Sequence, residues 1–317
     1  MNEAPETSTE TGTETGTETG TEIPPELVTQ MTGWRRDFHR HPEPGFAEER
    51  TSAHIASLLE SFGIEVHRNI GKTGIVGILQ RGNGPGSIAF RADMDALPIT
   101  ETGTPEWVSV HDGAMHACGH DGHTAMLLGA ACHLAAKGDF NGRIVFIFQP
   151  NEEHGQGARA MIDDGLFQRF PADAVFAMHN IPGMKTGSFA TRAGPMTASE
   201  SLFELSVTAR GGHAALPHMG VDAILVGAQL VTALQSIVSR KLDPARNGVV
   251  SITEFITDGS RNVLPSSALL KGDARALSDD TNHAIEAHMR RIAAGIAAAH
   301  DVDITVTYDT IFPSLTN

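Results

Sequence analysis

Three short apolar runs in this chain each end in a group of acidic or metal-ligating residues, and that recurrence constrains the fold most tightly. Ser87 to Arg91 leads into Asp93-Met94-Asp95, Ile144 to Phe148 leads through Gln149-Pro150-Asn151 into Glu152-Glu153, and Ala174 to Met178 leads into His179-Asn180. Two more such runs, Ile64 to His67 and Ile75 to Leu79, come earlier. Apolar runs of this length without strict alternation belong to strands covered on both faces. Between and before them lie helical patterns: one through Trp34 and Phe38 to His41-Pro42, one from Glu49 to Phe62, and one from His123 to Ala136. The second places Ile55, Leu58, Leu59 and Phe62 at helical spacing, with Gly63 as its stop. The expectation is an α/β fold, a largely parallel sheet covered by helices. In open sheets of this kind, sites form beyond the carboxyl ends of the strands. The three polar groups are therefore expected on one rim.

The stretch His116-Ala117-Cys118-Gly119-His120-Asp121-Gly122-His123 belongs with them. It crowds three imidazoles, a thiol and a carboxylate around two glycines, a density suited to holding a transition metal. Cys118 and His120 are two apart, which no helix presents on one face. They read as a loop or strand end wrapping an ion, with glycine letting backbone pass close by.

From about Ser201 the rhythm changes. Strand Leu202–Ala209, helix Val221–Ser239, strands Gly248–Phe255 and Ser267–Arg275, helix Asp279–Ala299 and strand Val302–Thr307 follow in the order βαββαβ, the ferredoxin-like split motif. This reads as a second domain inserted into the first. The expected divisions are a solvated acidic tail over 1–22, a metal-binding domain over 23–199, the inserted domain over 200–308, and a return toward the first sheet over 309–317. The tail expectation rests on composition: Met1 to Glu22 holds six glutamates, no lysine or arginine, and little apolar surface to offset the cost of ordering.

Composition narrows the partners. The formal charge is −15 and no basic run occurs, which argues against nucleic-acid binding. No stretch approaches the roughly 18 apolar residues of a membrane span, and the N-terminus lacks a secretory pattern. A cytoplasmic location follows by default, and two cysteines provide no disulfide framework.

Cys118, His120, Glu153 and His179 make a mixed sulfur, nitrogen and oxygen donor set suited to zinc, manganese, cobalt or nickel rather than magnesium or calcium. A thiolate can bridge two ions, so a two-metal hydrolytic site is one reading. Water activated at such ions loses its proton near pH ~7 and attacks a carbonyl, provided that a carboxylate outside the ligand set moves the proton. Glu152 is the candidate. Asp93 and Asp95 either orient a ligand imidazole or are plain turn residues. His116 and His123 read as helix-start or supporting residues rather than ligands. Arg275 could pair with a substrate carboxylate or simply face solvent, and His213 is ambiguous on its own.

Taken together, Arg91-Ala-Asp-Met-Asp-Ala-Leu-Pro98, Met115-His-Ala-Cys-Gly-His-Asp-Gly-His123 and Phe148-Gln-Pro-Asn-Glu-Glu153 resemble the M20 metallopeptidase family. The nearest branch is the hippurate hydrolase, aminoacylase and auxin-conjugate amidohydrolase group. Met178-His-Asn180, Gly211-Gly-His-Ala-Ala-Leu-Pro-His218 and Asn262-Val-Leu-Pro265 fit the same branch. The resemblance implies a two-metal amidohydrolase that cleaves N-acyl amino acids. It makes Cys118, His120, Glu153 and His179 the ligands and Glu152 the general acid/base. It gives Asp95 the task of orienting a metal-binding residue, and His213 that of polarising the scissile carbonyl in a partner's site. Asn262 and Arg275 become substrate-binding residues, and the inserted domain a lid through which a homodimer forms. Two departures stand out. Asn151 and His154 flank the glutamates where the family shows Pro-Ala-Glu-Glu-Gly. The family also carries one more histidine ligand beyond the lid, whereas no histidine here follows His300. One metal position is therefore expected to be a ligand short, and a catalytically impaired, binding-only chain is the alternative expectation.

Overall fold

The computed structural model describes residues 23–317, so the tail expected over 1–22 lies outside the described residues. The chain divides into two units: residues up to Glu153 with Gly157–Asn180, and His154–Gln156 with Ile181–Asn317.

The first unit contains helices α1 (Pro25–Arg40) and α2 (Glu49–Ser61), strands β1 (Glu65–Ile70), β2 (Gly74–Arg81) and β3 (Ser87–Asp93), helix α3 (His120–Lys137), strand β4 (Gly142–Gln149), two short helices α4 (Gly157–Asp163) and α5 (Leu166–Arg169), and strand β5 (Ala174–Ala177). Its sheet has the order β1-β2-β4-β3-β5. Side chains alternate across it as the pleat requires. Ile144, Phe146 and Phe148 of β4 pack on one face with Phe38, Ile55, Leu59 and Leu128 from α1, α2 and α3. Val145 and Ile147 face the other way, toward Met161, Leu166 and Phe170. Each fully buried side chain of this kind contributes about 1.5–3 kcal/mol, which is why β4 reads as one unbroken apolar run.

The sheet is mixed. β3 runs parallel to both β4 and β5, whereas β1 and β2 are antiparallel to their neighbours. Residues 71–73 leave no room for a crossover between β1 and β2, so these two can only form a hairpin. The parallel part is the part that carries the polar clusters.

The second unit contains β6 (Pro195–Thr197), β7 (Ser199–Thr208), β8 (Gly212–His213), α6 (Ala223–Ser236), β9 (Gly248–Thr257), β10 (Val263–Leu264), β11 (Ser267–Ala276), α7 (Asp279–His300), β12 (Asp303–Phe312) and β13 (Leu315–Thr316). Its main sheet, β12-β7-β11-β9, is antiparallel throughout and has the ferredoxin-like order. Phe203, Leu205 and Val207 of β7 point to one face, where Val226, Leu230 and Leu234 of α6 and Ile285 and Met289 of α7 cover them. Asp222 caps α6 by accepting the Ile224 and Leu225 N–H groups. With the turn that follows it, α6 forms a segment, Ala223–Lys241, long and apolar enough to cross a membrane; its Val226, Leu230, Leu234 and Ile237 are buried in this core.

Two expected boundaries move. Residues 309–317 do not return to the first sheet: β12 runs on to Phe312 beside β7, and β13 pairs with β6. The same pairing draws residues 181–199 into the second unit, so the division falls after Asn180 rather than after 199.

Candidate metal centre

Each polar cluster sits where a parallel strand ends. β3 finishes at Asp93, β4 at Gln149, three residues before Glu152, and β5 at Ala177, two before His179. Because β3 pairs in parallel with both neighbours, the three exits open on the same side. The Cys118 stretch arrives there from α3. That helix begins at His120, three residues earlier than its apolar pattern indicates, so Cys118 lies in the loop and His120 opens the first turn. Gly119 makes the junction possible. Its φ of 102° is left-handed, and a Cβ there would lie 2.3 Å from Asn180 Oδ1.

His120 is fully buried and common to three groups. They are Cys118, His120 and His179; His120, Glu152 and Glu153; and Asp93, His120 and His123, and within each group the donor atoms lie within 4.8 Å of one another. Backbone contacts select the tautomers. His120 Nδ1 donates to the Asp95 carbonyl (2.9 Å), and His179 Nδ1 donates to the Asn180 carbonyl (2.7 Å). Both rings therefore turn Nε2 into the cluster. His179 Nε2 stands 3.3 Å from Cys118 Sγ, and His120 Nε2 is 3.8 Å from a carboxylate oxygen of each of Glu152 and Glu153. Asp95 touches two of these residues: Oδ1 is 3.3 Å from His120 Nδ1, and Oδ2 accepts the Glu153 N–H at 3.1 Å.

Asp93 and His123 are differently employed. His123 Nδ1 donates to Asp93 Oδ1 (2.7 Å), while its Nε2 faces the Asn180 side-chain oxygen (2.6 Å) and accepts the Asn180 N–H (3.1 Å). Arg91 takes the other Asp93 oxygen at 3.1 Å. With both ring nitrogens and both oxygens engaged, this pair fastens the segment carrying His179 to α3.

Electrostatics shows what the cluster accommodates. Burial, then the carboxylates of Glu153, Glu152 and Asp93, push the Cys118 thiol up to about 12. Burial alone would lower His120, yet the Asp95 bond and the charges of Asp93, Asp95 and Glu153 outweigh it and lift it to about 9. Burial likewise opposes ionisation of Asp93, but the His123 bond with Arg91 and His120 holds it below the usual carboxylate range. The site thus stabilises positive charge and suppresses a lone thiolate. His120 Nε2 and Glu153 Oε1 are buried without a hydrogen-bond partner and converge. A divalent cation fits this donor set, satisfying both atoms and allowing Cys118 to ionise.

Of the residues singled out in the sequence, Asp95, Cys118, His120, Glu152, Glu153 and His179 are brought together within the first unit. His213, Asn262 and Arg275 belong to the second. His213 and Asn262 lie side by side, with His213 paired to Val263 and the Ala214 N–H donating to the Asn262 carbonyl (3.0 Å). Arg275 already holds two carboxylates, Glu200 and Asp273, each at 2.8 Å. The fastening roles of Asp93, His123 and Asn180 are visible only in three dimensions; the spacing Asp93-x-Asp95 signals two carboxylates but not their division of labour.

Imidazole, thiol and carboxylate donors gathered at the ends of parallel strands, with a further glutamate beside them, define a metal-dependent hydrolase centre on an α/β sheet. Comparison with known proteins makes the assignment specific. Residues 89–317 match Peptidase family M20/M25/M40. The hippurate hydrolase of Campylobacter jejuni is 43% identical over 292 residues, covering 92% of this chain and 76% of the relative. An N-acyl-L-amino acid amidohydrolase of Geobacillus stearothermophilus is 41% identical, over 90% of this chain and 77% of its own length. Among solved structures, the Bacillus subtilis YXEP protein, described as a dinuclear metal binding peptidase of the M20 family, superposes with a TM-score of 0.79 at 35% identity, over 92% of this chain and 76% of that one. The chain belongs to this peptidase family and is an amidohydrolase that binds divalent metal.

Proposed function

We propose that the chain hydrolyses the amide bond of small N-acyl amino acids, hippurate-like and N-acetylated ones among them. In this reading Cys118, His120, Glu153 and His179 hold two ions drawn from manganese, zinc, cobalt or nickel, and Glu152 is the general acid/base. When bound, the ions polarise the amide carbonyl and make water acidic enough to attack it. Glu152 takes the proton of the attacking water and delivers it to the leaving nitrogen. Its carboxylate carries the proposal. It faces the shared imidazole at 3.8 Å, keeps about a quarter of its side chain exposed, and is raised by burial and then by the charges of Asp93 and Glu153. A carboxylate raised in this way holds a proton more readily than a free glutamate, as suits a group that must take one up and return it. Asp95 holds His120 and the Glu153 backbone in register. In the second unit His213 is assigned to the scissile carbonyl in the site of a partner copy, and Asn262 to the substrate. Arg275 serves a substrate carboxylate by exchanging Glu200 or Asp273 for it.

The second unit is proposed to carry the contact of a homodimer, and a cytoplasmic setting suits a thiolate ligand, which needs reducing surroundings. The test is hydrolysis of hippurate and N-acetyl amino acids with added manganese, cobalt or zinc, comparing wild type with Glu152→Gln. The variant is expected to lose about 10²–10⁴-fold in kcat while still binding metal. An unchanged rate sinks the role given to Glu152. Metal bound with no turnover of any such substrate favours an impaired, binding-only chain.

A further inference from the structure

The turn from Glu43 to Glu48 touches two of the three strand exits that feed the metal centre, those of β3 and β4. The Glu43 carbonyl accepts the Ala96 N–H at 2.9 Å, and Pro44 forms a parallel bridge with Ala96, just past Asp95. At its other end is Glu48, whose exposure is 0%. Both of its carboxylate oxygens are used. Oε1 accepts the Asn151 N–H at 2.8 Å, and Oε2 accepts the Thr73 hydroxyl at 2.6 Å. Asn151 immediately precedes Glu152 and is itself buried, with a left-handed φ of 45°. That conformation turns its N–H inward, away from any strand partner, so the group needs an acceptor from elsewhere. Gly45 packs against the same residue: a Cβ there would fall 1.9 Å from Asn151 Oδ1.

We infer that Glu48 is a positioning residue, whose buried carboxylate locks the backbone at Asn151 and thereby aims Glu152 and Glu153 into the metal centre. The inference rests on the reading of those two glutamates given above. Glu48 touches neither ligand nor reacting atoms and acts through the turn alone. Without an acceptor the Asn151 N–H is orphaned in the interior, and the turn rotates to find one, carrying both carboxylates with it.

Cobalt(II) binding, followed by visible absorption, reads the ligand set without turnover, and hippurate kinetics reads the reaction. Glu48→Gln keeps an oxygen for Asn151 and a polar partner for Thr73, and is expected within about threefold of wild type in both. Glu48→Asp keeps the charge but withdraws it by ~1.5 Å; Glu48→Ala removes it. Each of these two is expected to weaken cobalt about tenfold, alter its spectrum, and lower kcat by roughly 10–100-fold with KM within about twofold. Wild-type affinity and spectrum in both overturn the inference. Should Glu48→Ala fail to fold, Glu48→Asp against Glu48→Gln decides. A wild-type chain that binds cobalt yet hydrolyses no N-acyl amino acid overturns the substrate reading alone, with Glu48 still judged by cobalt. A wild-type chain that binds none overturns both.

Discussion

Burial prevails over hydrogen bonding at Glu48: it raises the carboxyl above its ordinary 4.5, against the opposing bonds from Thr73 and Asn151. A carboxyl raised by folding contributes stability that is complete below its ordinary value and is lost as pH climbs through the raised one. Glutamine at position 48 does not titrate. The melting temperature of Glu48→Gln relative to wild type should therefore increase as pH is taken from below 4.5 to neutrality. A difference that stays flat across that range contradicts the burial argument. At this scale the sequence is informative where side-chain chemistry is unusual. Cys118, His120 and His179 advertise themselves because soft and borderline donors have few other reasons to cluster. Glu48 does not, since Glu48-Glu49 reads like any acidic surface pair. Its partners, Thr73 and Asn151, are 25 and 103 residues away. No local pattern encodes such a pairing.

Long elements were legible for a related reason: burial on one or both faces imposes a period that survives in the residues. Helices α1, α2, α6 and α7 and strands β2, β3, β4, β7, β9 and β11 lie close to their apolar patterns. Elements too short to have a period, such as β6, β8, β10 and β13, owe their existence to non-local partners. Strand direction is equally absent from local hydrophobicity, which is why the β1–β2 hairpin emerges only with the structure. The proposed dimer belongs at this scale. β9 is an edge strand, with Val249, Phe255 and Ile256 41–50% exposed, and on neighbouring α6 Ile224 and Leu225 are 46% and 53% exposed. A Cβ on Gly227 of α6 would lie 2.5 Å from the Phe255 ring, so Phe255 lies against the helix while Ile256, next in the strand, faces the other side of the sheet. Edges of this kind pair readily with another chain. Sedimentation is expected to give a dimer for wild type and a monomer for the double substitution Leu225→Asp with Ile256→Asp. A wild-type monomer, or a variant that stays dimeric, rejects this surface.

The whole molecule holds separate cores, one among β7, β9, β11, α6 and α7 and the others on the two faces of the first sheet. All the proposed ligands are in the first unit. Calorimetry should then resolve two unfolding transitions, with added manganese, cobalt or zinc raising only one. A ligand at about 100 times its Kd adds about 2.7 kcal/mol to the state that binds it. Cys118→Ala should abolish the rise and leave the second transition alone. A single transition that shifts as a block with metal would show that the units unfold together. The second unit also closes on itself, at one of its two-stranded sheets. Gly194 and Asn317 exchange two backbone hydrogen bonds of 3.1 Å beside the β6–β13 pair. The segment between them is a loop tied shut at its own neck, and among the described residues none of its strands pairs with β1 to β5. The second unit's strands thus complete their pairing among themselves, and its fold closes without borrowing a strand from the first sheet.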